Sequence, residues 1–306
     1  MGLMMKNVKT IALATALAAT ATMAAPTFAA DRGEDIRSGD YSWMQFNAMY
    51  AFNELPRSDA DDGGHDYLEM EFGGRAGVVD LYGYVDVFNL ANSSSGDKTA
   101  GDSKMFMKFA PRFSIDAITG WDLSLGPIQE VYFSTLFNWG GGAISGEYTT
   151  YDTSGNEVTV SGGDVNMSFW GIGADVMVPW LGKTGMNLYG AYDFNAKEWN
   201  GYQFSMNWFK PVMNFDNGSF VSFQGYVDYQ FGADEVNAYD ENGDFVNTTF
   251  TSSGGAAYFG LHWHSENYAL GYGLKGYKDV YLLKDDGTFG LESTGWAHYL
   301  TATYKF

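Results

Sequence analysis

The chain contains no cysteine, which excludes a disulfide framework, thiol catalysis and cysteine-ligated zinc. Basic residues are scarce, 17 Lys and Arg against 37 Asp and Glu. Phosphate contacts need Lys and Arg, so no nucleic acid binding by charge is expected. The only histidines are His65, His262, His264 and His298. His262 and His264 share a strand face, as a metal pair would, but no third ligand and no nucleophile accompany them. Asp59 and Asp61 lack the spaced Gly and closing Glu of a calcium loop. The chain therefore reads as a non-enzyme without cofactor or metal. Beyond the N-terminus no run of roughly 18 apolar residues exists, so no transmembrane helix is encoded.

Both ends carry a pattern. At the start, Lys6 and Lys9 precede an apolar, Ala-rich stretch from Ile11 to Met23, and Thr27-Phe28-Ala29 offers small residues at the positions a signal peptidase reads. Residues 1–29 are expected to be a cleaved secretory signal peptide, and 30–306 the mature protein. Removing Lys6 and Lys9 takes the formal net charge from −20 to −22. At the other end, Leu300, Ala302, Tyr304 and Phe306 alternate with Thr301, Thr303 and Lys305. A period of two is a strand with one apolar face. An aromatic terminal residue closing such a strand is the pattern of the last strand of a bacterial outer-membrane barrel.

Composition agrees, with 17% aromatic and 18% charged residues. Half of each barrel strand faces water, so low mean hydropathy is compatible with a membrane protein. Twelve segments have barrel character: 41–53, 66–75, 78–89, 104–112, 128–139, 166–178, 186–194, 201–210, 219–231, 256–264, 268–277 and 294–306. The connections alternate between long and short, except for a short 195–200 and a long 113–127. Long extracellular loops and short periplasmic turns produce that parity when the strand number is even. The expected fold is all-β: a twelve-stranded antiparallel transmembrane β-barrel in the outer membrane of a Gram-negative bacterium, facing lipid and lipopolysaccharide. Outward Trp139, Trp170, Trp208, Trp263 and Tyr304 are expected to form the interfacial girdles. Ser154-Gly155, Asn242-Gly243 and Asp286-Gly287 are hairpin signals, so 140–165, 232–255 and 278–293 are expected to protrude.

Several of these segments resemble a known family. Tyr67-Leu68-Glu69-Met70-Glu71-Phe72, Asp80-Leu81-Tyr82-Gly83-Tyr84-Val85-Asp86, Phe106-Met107-Lys108 and Pro111-Arg112-Phe113-Ser114 are similar to the nucleoside-specific channel-forming Tsx family. Asp122-Leu123-Ser124-Leu125-Gly126-Pro127, Ser293-Thr294-Gly295-Trp296 and the terminal strand are too. Ala51-Phe52-Asn53-Glu54-Leu55-Pro56, Asn207-Trp208-Phe209-Lys210-Pro211 and the run from Gly271 to Tyr281 resemble the OmpK branch of that family. The resemblance implies a twelve-stranded barrel, passage of nucleosides and use of surface loops as a bacteriophage receptor. Two departures fall where a lumen site would lie. Lys108 stands where Tsx has an acid, and Phe88 is followed by Asn89 instead of a second phenylalanine.

A nucleoside is a flat base on a hydroxyl-bearing sugar. Its path needs aromatic faces for the base and carboxylates or amides for the hydroxyls. Alternation turns Tyr67, Tyr82, Tyr84, Phe88, Phe106 and Tyr132 inward, with Glu69, Glu71, Asp80, Asp86 and Glu130 beside them. All lie on segments two to five, so one substrate-lined wall is expected. Arg75, Lys108 and Arg112 share that wall, and the same acids suit ion pairs that fill a narrow barrel equally well. The rival reading is a structural or adhesive barrel whose lumen is plugged.

Overall fold

The computed structural model describes residues 9–12, 37, 39–58, 64–91, 104–141, 147–151, 157–161, 165–240 and 242–306. Twelve of its strands close into one barrel. They are β1 (Tyr41–Phe52), β2 (His65–Ala76), β3 (Val79–Phe88), β4 (Met105–Ser114), β5 (Ile128–Gly140) and β6 (Val165–Val178). The ring continues through β7 (Gly182–Asp193), β8 (Glu198–Asn214), β9 (Phe220–Phe231), β10 (Ser253–His264), β11 (Tyr268–Lys278) and β12 (Gly295–Lys305). Each strand pairs antiparallel with its sequence neighbours. β12 then pairs with β1, from Lys305 opposite Gln45 to His298 opposite Phe52. All twelve expected segments are present, with ends shifted by a few residues. Most of the expected leader lies outside the described residues. Within it, Lys9–Ala12 forms a short strand parallel to Glu157–Ser161.

Alternation decides the two faces. Met44, Phe133, Ile172, Leu188, Leu261 and Leu300 are exposed on the outside, although they are large and apolar. That is the surface lipid requires. Trp170, Trp263 and Tyr304 are exposed on it as expected. Trp208 is not a girdle residue, being only 3% exposed. Its ring lies flat over Gly225 beside Phe223 and Phe259, and a Cβ at Gly225 would come within 2.5 Å of it. The missing side chain opposite lets the indole sink against the wall.

Short turns gather at one end, which the barrel rule makes periplasmic. Between β2 and β3, Gly77 takes φ +55° and its N–H donates to Asp40 Oδ1 at 2.8 Å. The long exception between β4 and β5 contains a helical turn, α1 (Ile115–Thr119). Ser114 caps it by accepting from the Ala117 N–H at 3.1 Å. Gly120 ends it with φ +71°. Asp116 then accepts from the N–H groups of Leu123 (3.0 Å) and Val131 (2.9 Å), folding the connection back onto β5.

At the other end, two long connections form hairpins. Glu147–Tyr151 pairs with Glu157–Ser161, and Val236–Tyr239 pairs with Phe245–Phe250. Tyr239 opposite Tyr151 joins both hairpins into one sheet beyond the barrel. The turn signal Asn242-Gly243 lies at a hairpin tip, with Gly243 at φ +82°. Ser154-Gly155 lies outside the described residues. The third connection departs from expectation, because Asp286-Gly287 does not tip a protruding hairpin. The segment folds back over the mouth: Val280 and Leu283 are buried, and Leu291–Glu292 pairs with Arg57–Ser58. Backbone bonds from Lys284 to Thr249 and from Thr288 to Thr248 hold it there, and paired carboxylates brace it from within. Asp285 Oδ1 accepts from the Ser293 and Thr294 N–H groups at 2.8 and 2.9 Å, and Asp279 Oδ1 accepts from the Asp285 N–H at 2.9 Å. Burial pushes the Asp279 carboxyl up, but the hydrogen bonds from Lys278 and the Asp285 N–H, with the charges of Lys278 and Lys284, hold it below the usual carboxylate range.

Protease added to intact cells is therefore expected to cut at the hairpin tip near Gly243 and to spare both the periplasmic turn 215–219 and the folded-back 279–292. Cleavage at 215–219 from outside would overturn the orientation.

Candidate functional site

The interior is polar and nearly filled. Glu69, Glu71, Asp86 and Ser134 are fully buried, yet all lie on strands that face lipid on their other side. Alternation alone puts them there. How they are paired separates the lumen into three systems.

Toward the periplasm, Arg75 grips Glu130 through both guanidinium nitrogens at 2.8 and 2.9 Å. Tyr132 donates to Glu130 at 2.7 Å, and the Ser114 hydroxyl donates to the same carboxylate. Arg112 bonds Asp80 at 2.9 Å and Asp175 at 3.1 Å, and its guanidinium lies 4.1 Å from the centre of the Tyr132 ring. Lys183 closes the network on Asp175 at 2.7 Å. Buried and bidentate, the Arg75–Glu130 contact is structural.

At mid-height, Glu71 accepts from Gln45 (2.6 Å) and Tyr82 (2.8 Å), and Glu69 accepts from Asn47 (2.6 Å). Asp86 stands opposite Glu69 in the β2–β3 register. Among the described residues the Tyr84 hydroxyl has no hydrogen-bond partner. Toward the cell surface, Glu54 meets His65 and accepts from the Tyr299 hydroxyl at 2.7 Å, which sits 2.6 Å from that of Tyr277. Burial pushes the Glu54 carboxyl up, but His65, Lys275 and Tyr299 outweigh it and hold it below the usual carboxylate range. Lys275 is buried, with its ammonium 4.8 Å from the centre of the Tyr277 ring.

The open space lies mainly beside other strands. An upper cavity of about 170 Å³ is bordered by Lys108, Phe169, Asp193, Gln203, Tyr226, Asp228 and Lys275, and roofed by Val280, Tyr281 and Leu282 of the folded-back segment. A lower cavity of about 100 Å³ is bordered by Asp80, Tyr82, Lys108, Arg112, Asn187, Tyr189, Asn207, Tyr226 and Asp228. Of the residues expected to line the path, Asp80, Tyr82 and Arg112 border the lower cavity. Tyr67, Glu69, Glu71, Tyr84, Asp86, Phe88, Phe106, Glu130 and Tyr132 border neither. Tyr67, Tyr84, Phe88 and Phe106 pack together as core. Tyr189, Tyr226, Asp228 and Lys275 were not singled out from the sequence, although the same alternation exposes them. Tyr226 and Asp228 flank the outward Val227, and Tyr189 follows the outward Leu188.

His262 and His264 do share the inward face, their rings 6.2 Å apart. His264 bonds Ser222 at 2.8 Å and stacks on Phe220. Among the described residues no group of three or more metal-ligating side chains converges.

Comparison with known proteins agrees with the geometry. The model of a family described as nucleoside-specific channel-forming protein, Tsx, matches residues 38–306. An outer membrane protein OmpK of Vibrio parahaemolyticus is 53% identical over 95% of this chain and 98% of its own. A nucleoside-specific channel-forming protein Tsx of Klebsiella aerogenes is 32% identical over 78% of this chain and 81% of its own. Among solved structures, in-vitro folded OmpT, an outer membrane protein of Vibrio cholerae, aligns over 87% of this chain and 97% of its own, with 9% identity and a TM-score of 0.33. The barrel rests on its own strand pairing, not on that alignment.

Replacing Arg75 with Met leaves Glu130 buried without its cation, at a cost of about 3–5 kcal/mol. The variant is expected to lose the compact electrophoretic form at a lower temperature than the wild type. The double variant Arg75→Met, Glu130→Met is expected to recover much of the loss. A single variant as heat-resistant as the wild type would contradict the structural assignment of this pair.

Proposed function

Because this chain belongs to the nucleoside-specific channel-forming Tsx family of outer-membrane proteins, we propose that its barrel passes nucleosides or similar small uncharged solutes. The protein sits in the outer membrane of a Gram-negative bacterium. One observation carries the proposal: two cavities edged by both polar and aromatic side chains meet inside the closed ring, sharing Lys108, Tyr226 and Asp228. Tyr82, Tyr189 and Tyr226 offer faces to a base, and Asn187, Asn207, Gln203 and Asp228 offer partners to sugar hydroxyls. Transport needs weak serial contacts instead of one tight pocket, and two small cavities in series suit that. The expected wall from Tyr67 to Tyr132 then has two parts. Asp80, Tyr82 and Arg112 touch the solute, while the remainder sets the width of the path.

Loss of stacking faces costs about 1–3 kcal/mol per base. The double variant Tyr82→Ala, Tyr226→Ala is thus expected to lose most nucleoside uptake at low concentration while glycerol uptake persists. Uptake equal to the wild type would reject this path. A wild-type barrel that conducts nothing in planar bilayers would favour the plugged, structural alternative.

A receptor role for bacteriophage belongs to the same proposal. The joined hairpins are the parts that project, and loops tolerate replacement without loss of the scaffold. Exchanging residues 239–247 for a short Gly-Ser turn is expected to abolish adsorption of a phage that uses this protein, with the barrel still assembled. Undiminished adsorption would place recognition outside this hairpin.

A further inference from the structure

The two lumen cavities meet at one cation and one anion. Lys108 Nζ lies 3.2 Å from Asp228 Oδ2. Lys108 is on β4 and Asp228 on β9, five strands apart in a ring of twelve, so the pair spans the lumen. Both ends are held. Asp228 Oδ1 accepts from Ser205 Oγ at 2.6 Å and from Gln203 Nε2 at 3.5 Å. The Lys108 ammonium lies 5.9 Å from the centre of the Tyr84 ring and 6.0 Å from that of Tyr226. Neither residue is sealed off, with side chains 11% and 26% exposed, and both border each cavity.

We propose that Lys108 and Asp228 form a charge-balanced filter, which admits uncharged hydrogen-bonding solutes and rejects solutes of either net charge. This rests on the channel reading above. A solute passing between the cavities must separate the pair and give each member what it has lost. Lys108 needs an acceptor and Asp228 needs a donor. A hydroxyl or an amide supplies both. A phosphate satisfies Lys108 but is driven into Asp228, and an ammonium meets the reverse conflict. Leaving one member of a confined ion pair unmatched is the costly outcome. Rings of charged side chains select ions by the sign of their field, and a cross-lumen pair of opposite signs selects against both. Nearby fixed charges set a background: Lys275, Asp193, Glu198 and Asp234 at the upper cavity, Asp80 and Arg112 at the lower. The filter is therefore read from shifts relative to the wild type.

The test is the reversal potential of the full-length pore in planar bilayers under a potassium chloride gradient, with assembly checked by electrophoretic mobility. Lys108→Glu is expected to raise the cation-to-anion permeability ratio several-fold, and Asp228→Lys to lower it several-fold. The exchange Lys108→Asp, Asp228→Lys is expected to return it toward the wild type. Lys108→Gln and Asp228→Asn, which disturb packing least, are expected to shift it in the same two directions by less. In liposome swelling, wild-type pores are expected to pass adenosine faster than adenosine monophosphate, and Asp228→Asn to narrow that difference. Selectivity unchanged across the assembled, conducting variants would overturn the filter. Selectivity that moves as expected in a pore impermeable to adenosine would reject the nucleoside reading and leave the charge filter standing.

Discussion

Closure of the hydrogen-bonded ring is the constraint on which everything else in this protein depends. Hydrocarbon offers no partner to a backbone N–H or C=O, so a strand at an open edge cannot stay in a membrane. The pairing of β12 with β1 removes that edge. Side chains tie the same seam from inside. Thr303 donates to Asn47 at 2.7 Å, and Asn47 donates to Glu69 at 2.6 Å, linking β12 to β1 and β1 to β2. Once the ring is closed, alternation sorts each strand residue to lipid or lumen without further choice.

A ring of twelve strands leaves a narrow interior, and the chain fills one side of it. On β2 to β5, long carboxylates, arginines and tyrosines reach across and satisfy one another. Arg75 with Glu130 and Arg112 with Asp80 are the firmest links. Beside β7 and β8, where shorter groups such as Asn187, Ser205 and Asn207 face inward, open space remains. On the proposed reading, the filled side sets the width of the path left open.

The mouth follows a similar division. Two connections extend the barrel upward as paired strands, and they project because each hairpin finds a neighbouring hairpin to hydrogen-bond with. The third is bonded to Arg57–Ser58 and to the hairpin strand Phe245–Phe250, through Thr248 and Thr249 and the apolar contact of Leu283 with Phe250, while Asp279 and Asp285 brace it from within. It therefore narrows the entrance instead of extending it.

Much of this was legible in the residues. The period of two in segments such as Leu300 to Phe306 specifies strands with one apolar face, and the parity of the connections specifies an even ring. Local chemistry also announced the Gly243 turn. What a periodic pattern cannot express is contact between residues distant in sequence. Lys108 meets Asp228 across 120 residues, and Trp208 sinks over Gly225 because a facing strand lacks a side chain there. The sequence by itself determined the strands, their faces and the barrel, because these depend on nearest neighbours and on the solvent at each face. Tertiary structure alone decided which acids are spent on ion pairs, which wall stays open and which loop turns inward. Those outcomes depend on which side chains meet across a closed ring, and the meeting exists only after closure.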